Sequence, residues 1–361
     1  MSITLEATFP QAVGQDGRFS LDLYVERSRQ FTAAAKDIAE VSSRGVVQHR
    51  SLILVDLQGL YLALVNWFAA QEIPLESGLL LSEFAICSLS SVVKSVEQRI
   101  MANSGGPIIT FSELVRRVTK DEVPTAVPEH EVLKLEPSIE LFYAPVPLKE
   151  IEWQLRKRAQ QGSWQAEEQL AGLSAGLVSY PGVERDYRFY EDFVTCLKKS
   201  PFVTRSEHGF FNFYVGARGL KFIDEKEVDI RVAIRAVDAC YDRTADSVCI
   251  VSSDQDFVPL LERCQRAGLT SFQADAAKFM QPERVGRRIR ELGTSYIPTR
   301  MESGWPLRVI IGSMSPFSRY QISFDELEGL CRAHNAINDV ELHPQRLDNG
   351  NAGLVMHRPV R

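Results

Sequence analysis

The sequence predicts an α/β protein: a doubly wound parallel sheet with a helical insertion and a small C-terminal α/β module. Three observations predict it. Residues 51–56 (SLILVD) and 247–252 (SVCIVS) are apolar throughout, as strands covered on both faces are, whereas half-exposed strands alternate. Each run is followed by helical spacing, and strands alternating with helices imply an open α/β sheet. A length of 361 residues with 45% hydrophobic and 24% charged side chains marks a globular chain of about two domains.

The elements follow in order. A helical candidate at residues 25–39 lies in an N-terminal extension, residues 1–50. The strand at 51–56 feeds a helix at 60–70, and a strand at 139–144 (IELFYA) comes roughly 70 residues later, far beyond the two-to-six residue loops usual in α/β units. The stretch 72–138 therefore reads as an insertion with its own helices at 78–101 and 111–117. The first of these is interrupted by Ser82 and Glu83 and falls short of the roughly 20 apolar residues of a membrane span, so no membrane partner is expected. A helix near 189–197 precedes one at 229–241, in which Ile230, Ala233, Ile234, Val237 and Tyr241 are expected to face the core, with Arg231, Arg235, Asp238 and Asp242 in water. After the strand at 247–252, Phe257, Leu260, Leu261 and Cys264 sit at helical spacing, with Gly268 as the stop. A further strand at 269–274 continues the sheet domain, which extends to residue 302. From 303 to 361 the pattern restarts at 307–312, followed by a capping box at Ser323 and Glu326 opening a helix to about 333, and a hairpin around 348–353.

Charge and motifs exclude several classes. Lys plus Arg number 41 against 47 Asp plus Glu, a net charge of −6, which argues against a histone-like polyanion binder but leaves room for a local basic groove. The start MSITLEATFPQAV lacks a basic region followed by an apolar stretch, so no secretory signal is expected. Six cysteines without a CxxC pair read as reduced core thiols of a cytoplasmic protein. There is no GxxxxGK[ST] loop for a nucleoside triphosphate and no HExxH zinc pattern. Ser252 and Ser253 lack a His and Asp arrangement that would make an acyl-transfer nucleophile. DLQGL is not the DxDx[TV] string of an aspartyl phosphotransferase.

The chemistry-bearing residues are acids. Asp56 ends the first strand, Asp229 opens a helix, and Asp254 and Asp256 follow the strand at 247–252. The carboxyl ends of parallel strands converge on one crevice, so these carboxylates are expected to meet. Like charges at short range call for a divalent cation, Mg²⁺ or Mn²⁺, that activates water and neutralises charge on a phosphodiester during in-line displacement. The plain alternative is that Asp229 and Asp256 are only helix caps; Asp56 is expected to have no capping duty. Arg284, Arg287 and Arg288, with Arg290 less well aligned, fall near helical spacing and are candidates for phosphate contacts, against the alternative of a solvated helix face.

Three strings, ILVDLQGLYLAL, EKEVDIRVAIRAVDACY and VCIVSSDQDFVPLLERCQRAGL, resemble in content and order the signature blocks of the NYN domain family (LabA-like) within the PIN-like nuclease superfamily. The likeness covers approximately residues 52–300 without the insertion, and FYAPVP at 142–147 and the helix near 189–197 fit its second strand and following helix. The resemblance implies a PIN-like, Rossmannoid sheet with Asp56, Asp229, Asp254 and Asp256 as catalytic, metal-binding aspartates, and metal-dependent endoribonucleolytic cleavage of RNA. It also implies a phosphate role for Lys226. Two departures stand out. The family carries Asn in a pattern like DGQN where this chain has Gly59 in DLQG, leaving Gln58 as the substitute for positioning water or phosphate, with Ser253 shaping the acidic turn. The insertion is the other departure; it and the C-terminal module are candidate surfaces for a protein partner or homo-oligomer. The competing reading is a catalytically inactive NYN-fold RNA-binding or assembly protein.

Overall fold

The computed structural model describes residues 21–43, 45–76, 78–106, 108–120, 130–175, 187–216, 219–275, 287–298, 305–313, 321–336, 338, 341–346 and 352–357. Its centre is a parallel sheet. After helix α1 (Leu21–Ser42), strand β1 (Val46–Asp56) leads into α2 (Leu57–Ala70) and α3 (Gly78–Asn103). Then come β2 (Ile108–Thr110), α4 (Phe111–Thr119) and the long strand β3 (Glu131–Tyr143). Helices α5 (Leu148–Gln160), α6 (Trp164–Ala175) and α7 (Tyr187–Lys198) precede β4 (Val203–His208) and a hairpin of β5 (Phe210–Gly216) and β6 (Gly219–Lys226). The chain continues through α8 (Val228–Asp242), β7 (Ser247–Val251), α9 (Val258–Arg266), β8 (Thr270–Asp275), α10 (Arg287–Arg290) and β9 (Tyr296–Pro298). It closes with α11 (Trp305–Ser313), α12 (Phe324–Asn335) and the antiparallel pair β10 (Glu341–Arg346) and β11 (Ala352–His357).

The strand order is β2-β3-β1-β7-β8-β9, all parallel, with β4 also on β3. From β1 the chain builds outward on one side to β3 and then returns to build β7, β8 and β9 on the other. The switch point of the sheet therefore lies between β1 and β7, and crevices for ligands form at such points beyond the strand carboxyl ends. β1 pairs with β7 from Ser51↔Ser247 to Val55↔Val251, and all residues of β7 are buried. Both faces must be covered to achieve that. Helices α2 and α3 pack together over β1 and β3, and α8 and α9 pack together over β1, β3 and β8. Beside β3, β2 pairs with residues 131–133 and β4 with residues 139–143, end to end along one edge. Between them, among the described strands, none lies along residues 134–138 on that edge.

β1 begins five residues before the expected start and β3 eight. The added stretches (VVQHR, EVLKLEPS) are mixed in polarity and, Val132 and Leu133 apart, not buried, so they lack the apolar run that signals a central strand. β2, β4, β5, β6 and β9 are additional to the expected strands. Residues 307–312 lie inside α11, and Ser323 and Glu326 form the expected capping box of α12. Of the hairpin expected around 348–353, residues 348–351 lie outside the described residues, and 352–353 begin β11.

α3 is long and apolar enough to cross a membrane, yet Leu80, Leu81, Phe84, Ala85, Val92 and Val96 are wholly buried in the main core. It packs along α7 and α11, and Trp305, Ile310, Leu327 and Leu330 of the C-terminal elements join the same core. Tyr61 of α2 meets Tyr190 edge-on at 5.0 Å and Phe193 at 5.2 Å, both on α7. α1 and α4 share a smaller core of Ala35, Ala39, Leu114, Val115 and Val118.

The face of α8 differs from the expected one. Val228, Val232, Ala236 and Ala239 are buried, while Ile230, Ile234 and Tyr241 are exposed. The reason is a buried charge. Glu140 in β3 is 3% exposed and takes a forked pair of hydrogen bonds from Arg235, Nε to Oε2 at 2.8 Å and Nη2 to Oε1 at 2.8 Å. A buried carboxylate without that partner would be strongly destabilising, so the helix turns its arginine inward and carries the apolar stripe around with it. None of the six cysteines is in a disulfide, and burial pushes the Cys249, Cys264 and Cys331 thiols up to about 12, which keeps them protonated.

Candidate active site

The last residue of β1 is Asp56, one pairing step beyond Val55↔Val251, so the parallel register sets it beside Ser252. The Ser252 hydroxyl donates to its Oδ2 at 2.9 Å, and the Gly59 amide donates to its Oδ1 at 3.3 Å. Asp56 is thus the N-cap of α2, contrary to the expectation that it had no capping duty: the helix starts on the very next residue, leaving its first amides to be satisfied. The cap does not neutralise it. Loss of solvation raises the Asp56 carboxyl to about 6, although the two hydrogen bonds oppose the rise, and the charges of Asp229 and Asp254 add to it.

Gly59, which stands where the resemblance calls for Asn, lies against this carboxylate. A Cβ there would sit 3.1 Å from Asp56 Oδ2. A side chain at this position requires Asp56 to give way. Gln58 is half-buried in the same first turn.

A second acid was hidden from the sequence reading. Glu225 is the penultimate residue of β6, on the hairpin face that carries Phe211. Both its carboxylate oxygens are shielded from solvent, and neither meets a hydrogen-bond donor among the described residues. Burial raises it to about 8, and the charges acting on it through space, Asp56 and Asp229, have the same sign. EKEVD, the string that drew attention to Lys226 and Asp229, contains Glu225. The sequence does not predict β6, and without a strand no face is assigned to Glu225.

Asp229 reaches the same place by a strained corner. Between β6 and α8, Glu227 adopts a left-handed backbone with φ of 68°, uncommon for a residue other than glycine. Gly209 makes the corner possible. Its amide donates to Tyr143 carbonyl oxygen at 2.9 Å, and a Cβ on it would stand 2.0 Å from the Lys226 carbonyl oxygen. Asp229 then sits in the first turn of α8 without capping it, on the exposed rim of the cluster, and is raised by partial loss of solvation and by Asp254 and Asp256.

Beyond β7, Asp254 caps a short 3₁₀ turn by accepting from the Asp256 amide at 2.9 Å. Of the two pairs of acids, the capping duty therefore falls to Asp56 and Asp254, and not to Asp229 and Asp256. Gln273, fully buried in β8, holds the turn from below: its Nε2 donates to the carbonyls of Ser252 at 3.0 Å and Asp254 at 2.7 Å. Ser253 donates to Asp275 Oδ1 at 2.6 Å. Asp275, fully buried, ends β8 as Asp56 ends β1. The same strand-then-acid grammar would have found it, had the expected strand not stopped at Ala274.

The remaining candidates lie outside the carboxylate cluster itself. Lys226 is exposed on the opposite face of β6 from Glu225. Arg284 lies outside the described residues. Arg287 Nε pairs with Glu291 at 2.8 Å, and the Arg288 amide donates to Gln255 Oε1 at 3.3 Å, which anchors α10 to the acidic turn.

Asp56, Glu225, Asp229 and Asp254 thus form a field of like charges acting on one another at the switch point. Among the described residues, no three His, Cys, Asp or Glu side chains are arranged to grip an ion as they stand. The donor set nevertheless fits a hard divalent cation: it is all oxygen, and Glu225 is a buried carboxylate with no donor.

Residues 191–284 match the NYN domain family. None of the curated proteins matches the chain. Among solved structures, a protein of unknown function, VPA0982, from Vibrio parahaemolyticus is similar at 12% identity and a TM-score of 0.30, over 69% of this chain and 92% of that one.

Proposed function

We propose that this chain, which carries an NYN domain over residues 191–284, is a divalent-metal-dependent ribonuclease that hydrolyses RNA phosphodiesters at the carboxyl ends of β1, β6 and β7. Kinship with the PIN-like nuclease superfamily supports hydrolysis as the reaction class. The observation that carries the proposal is Glu225: a buried carboxylate without a donor, pushed up to about 8 beside Asp56 at about 6. A protein that only binds a polyanion gains nothing from concentrated negative charge, which repels phosphate.

Asp56, Glu225, Asp229 and Asp254 would hold Mg²⁺ or Mn²⁺, with Asp256 at the rim. The ion supplies charge neutralisation and an acidified water. The chain's own part is to fix the acids. Ser252 and the Gly59 amide orient Asp56, Gln273 fixes the turn of Asp254, and the Gly209 corner aims Glu225 and Asp229. Lys226, Arg287 and Arg288, with Arg284, would meet flanking phosphates.

The test is incubation of the purified full chain with mixed single-stranded RNAs in Mn²⁺, Mg²⁺ or EDTA, beside Asp254→Asn. Asparagine caps a turn as aspartate does, so the variant keeps the fold. Cleavage in metal, none in EDTA and none by the variant is the expected result; equal cleavage by the variant overturns catalysis through this cluster. One observation favours the second reading, an NYN fold that binds RNA or assembles without turnover: Gly59 leaves out the amide side chain of the family pattern, and a side chain there would require Asp56 to shift. Binding without cleavage in any metal would establish it.

A further inference from the structure

The two faces of the β5–β6 hairpin are built for different company. Inward, Phe211 and Val215 are buried, and Phe211 stands opposite Glu225 in the register. Outward, Phe210 is 47% exposed and Tyr214 56% exposed, four residues apart on one strand and therefore about 13 Å apart. The antiparallel register sets a lysine directly opposite each ring: Phe210↔Lys226 and Tyr214↔Lys221, both lysines exposed. Tyr214 lies over Gly216. A Cβ on Gly216 would stand 2.3 Å from Tyr214 Cε1, so the ring occupies the space that a side chain at 216 would fill.

We propose that this outer face binds single-stranded RNA, with unpaired bases stacking on Phe210 and Tyr214 and the adjacent phosphates meeting Lys226 and Lys221. The inference rests on the ribonuclease reading of the acidic site. Charge decides the occupant. In a chain of net charge −6, two ring-and-lysine pairs on one face complement a polyanion whose bases offer π-faces, the combination used by sequence-tolerant single-strand binders. Continuity supports it: Lys226 and Glu225 are successive residues on opposite faces of β6, so an RNA strand seated outside lies one strand's thickness from the acids that would cut it.

The experiment measures binding of a fluorescent, mixed-sequence single-stranded RNA by anisotropy in EDTA, where binding is read without cleavage. Replacing both rings, Phe210→Ala with Tyr214→Ala, weakens binding by roughly tenfold or more for each ring, whereas Phe210→Tyr and Tyr214→Phe retain it. Lys221→Glu lowers the slope of log affinity against log salt by about 0.7 or more. Binding of duplex RNA, whose bases are already stacked, is insensitive to loss of the rings. Unchanged single-strand affinity in the ring variant overturns the proposal, as does equal loss for duplex, or failure of the wild-type chain to bind at all. If the ring variant keeps RNA affinity but loses self-association in light scattering, the face is a protein interface and the proposal also fails. Cleavage in Mn²⁺ is scored separately, so failure of the hairpin surface and failure of the nuclease reading are distinguishable.

Discussion

The two ends of the β1–β7 pairing both carry aspartate and serine and handle charge in opposite ways. At the amino ends, Arg50 and Asp246 make a forked pair, Nη2 to Oδ1 at 2.8 Å and Nε to Oδ2 at 3.2 Å, and His49, Ser247 and Ser51 form a hydrogen-bonded chain at 3.0 Å steps. The Arg50 guanidinium holds Asp246 below its ordinary carboxylate value. At the carboxyl ends, Asp56 and Glu225 are raised, chiefly by burial, with only like charges acting on them through space. The first end stabilises the fold. The second burdens it, and at a sheet's switch point such a burden is what the proposed divalent cation would relieve.

The contrast is broken most decisively by removing the burden. Glu225→Gln and Asp56→Asn each keep side-chain shape and lose the charge; RNA cleavage is expected to fall by at least about a hundredfold, with lost thermal stabilisation by Mn²⁺ and no loss of metal-free stability. A variant that cleaves normally and is still stabilised by Mn²⁺ would place the metal elsewhere.

The pH dependence of stability sharpens the comparison. A carboxyl whose folded value is raised stabilises below its unfolded value, and that contribution is lost as pH rises through the folded one. For Asp56, moving from 3.8 to about 6 withholds on the order of 3 kcal/mol at neutral pH. Glu225 extends the window to about 8. Metal-free protein is therefore expected to gain denaturant stability as pH is lowered from about 8 to about 5, with less gain in Glu225→Gln. Asp246 behaves oppositely: its contribution is present above the ordinary value of 3.8 and lost only as pH falls below it. A flat profile between 5 and 8 would show that the acids are solvated.

Gly209→Ala forces a methyl group into the Lys226 carbonyl and is expected to cost about 1–3 kcal/mol and to depress cleavage beyond its effect on the melting temperature, since it misaims Glu225 and Asp229. The smallest effect belongs to the paired end. Asp246→Asn, in a pair whose side chains are 49% and 39% exposed, is expected to move the melting temperature by no more than about 2 °C and to leave cleavage untouched.

Much of this organisation is legible in the sequence because burial on both faces writes itself as an apolar run: SLILVD, IELFYA and SVCIVS all mark strands, and the acids that follow the first and last point to one crevice. Glu225 was illegible for the same reason. It sits on a hairpin of mixed polarity whose inner and outer residues follow from a register with a bulge between Asn212 and Phe213, and no local pattern announces that register. The face of α8 misled because amphipathic spacing fits two stripes, and the choice between them belongs to Glu140, some 95 residues away. Gly59 shows the converse: the residue was noticed as a departure, but its meaning lay in 3.1 Å of space.

The stretch of β3 between its two short neighbours has a bearing on behaviour in concentrated solution. Residues 134–138 (KLEPS) carry exposed Lys134 and Glu136, paired at 3.8 Å, and Pro137, which offers no amide hydrogen. An open strand edge is a template on which another chain's strand polymerises, and charge and proline are what blunt it. Lys134, Glu136 and Pro137 thus supply that blunting where no described strand covers β3. Pro137→Thr restores the missing donor, and the expected result is growth of scattering aggregates in a sample whose wild-type counterpart stays clear.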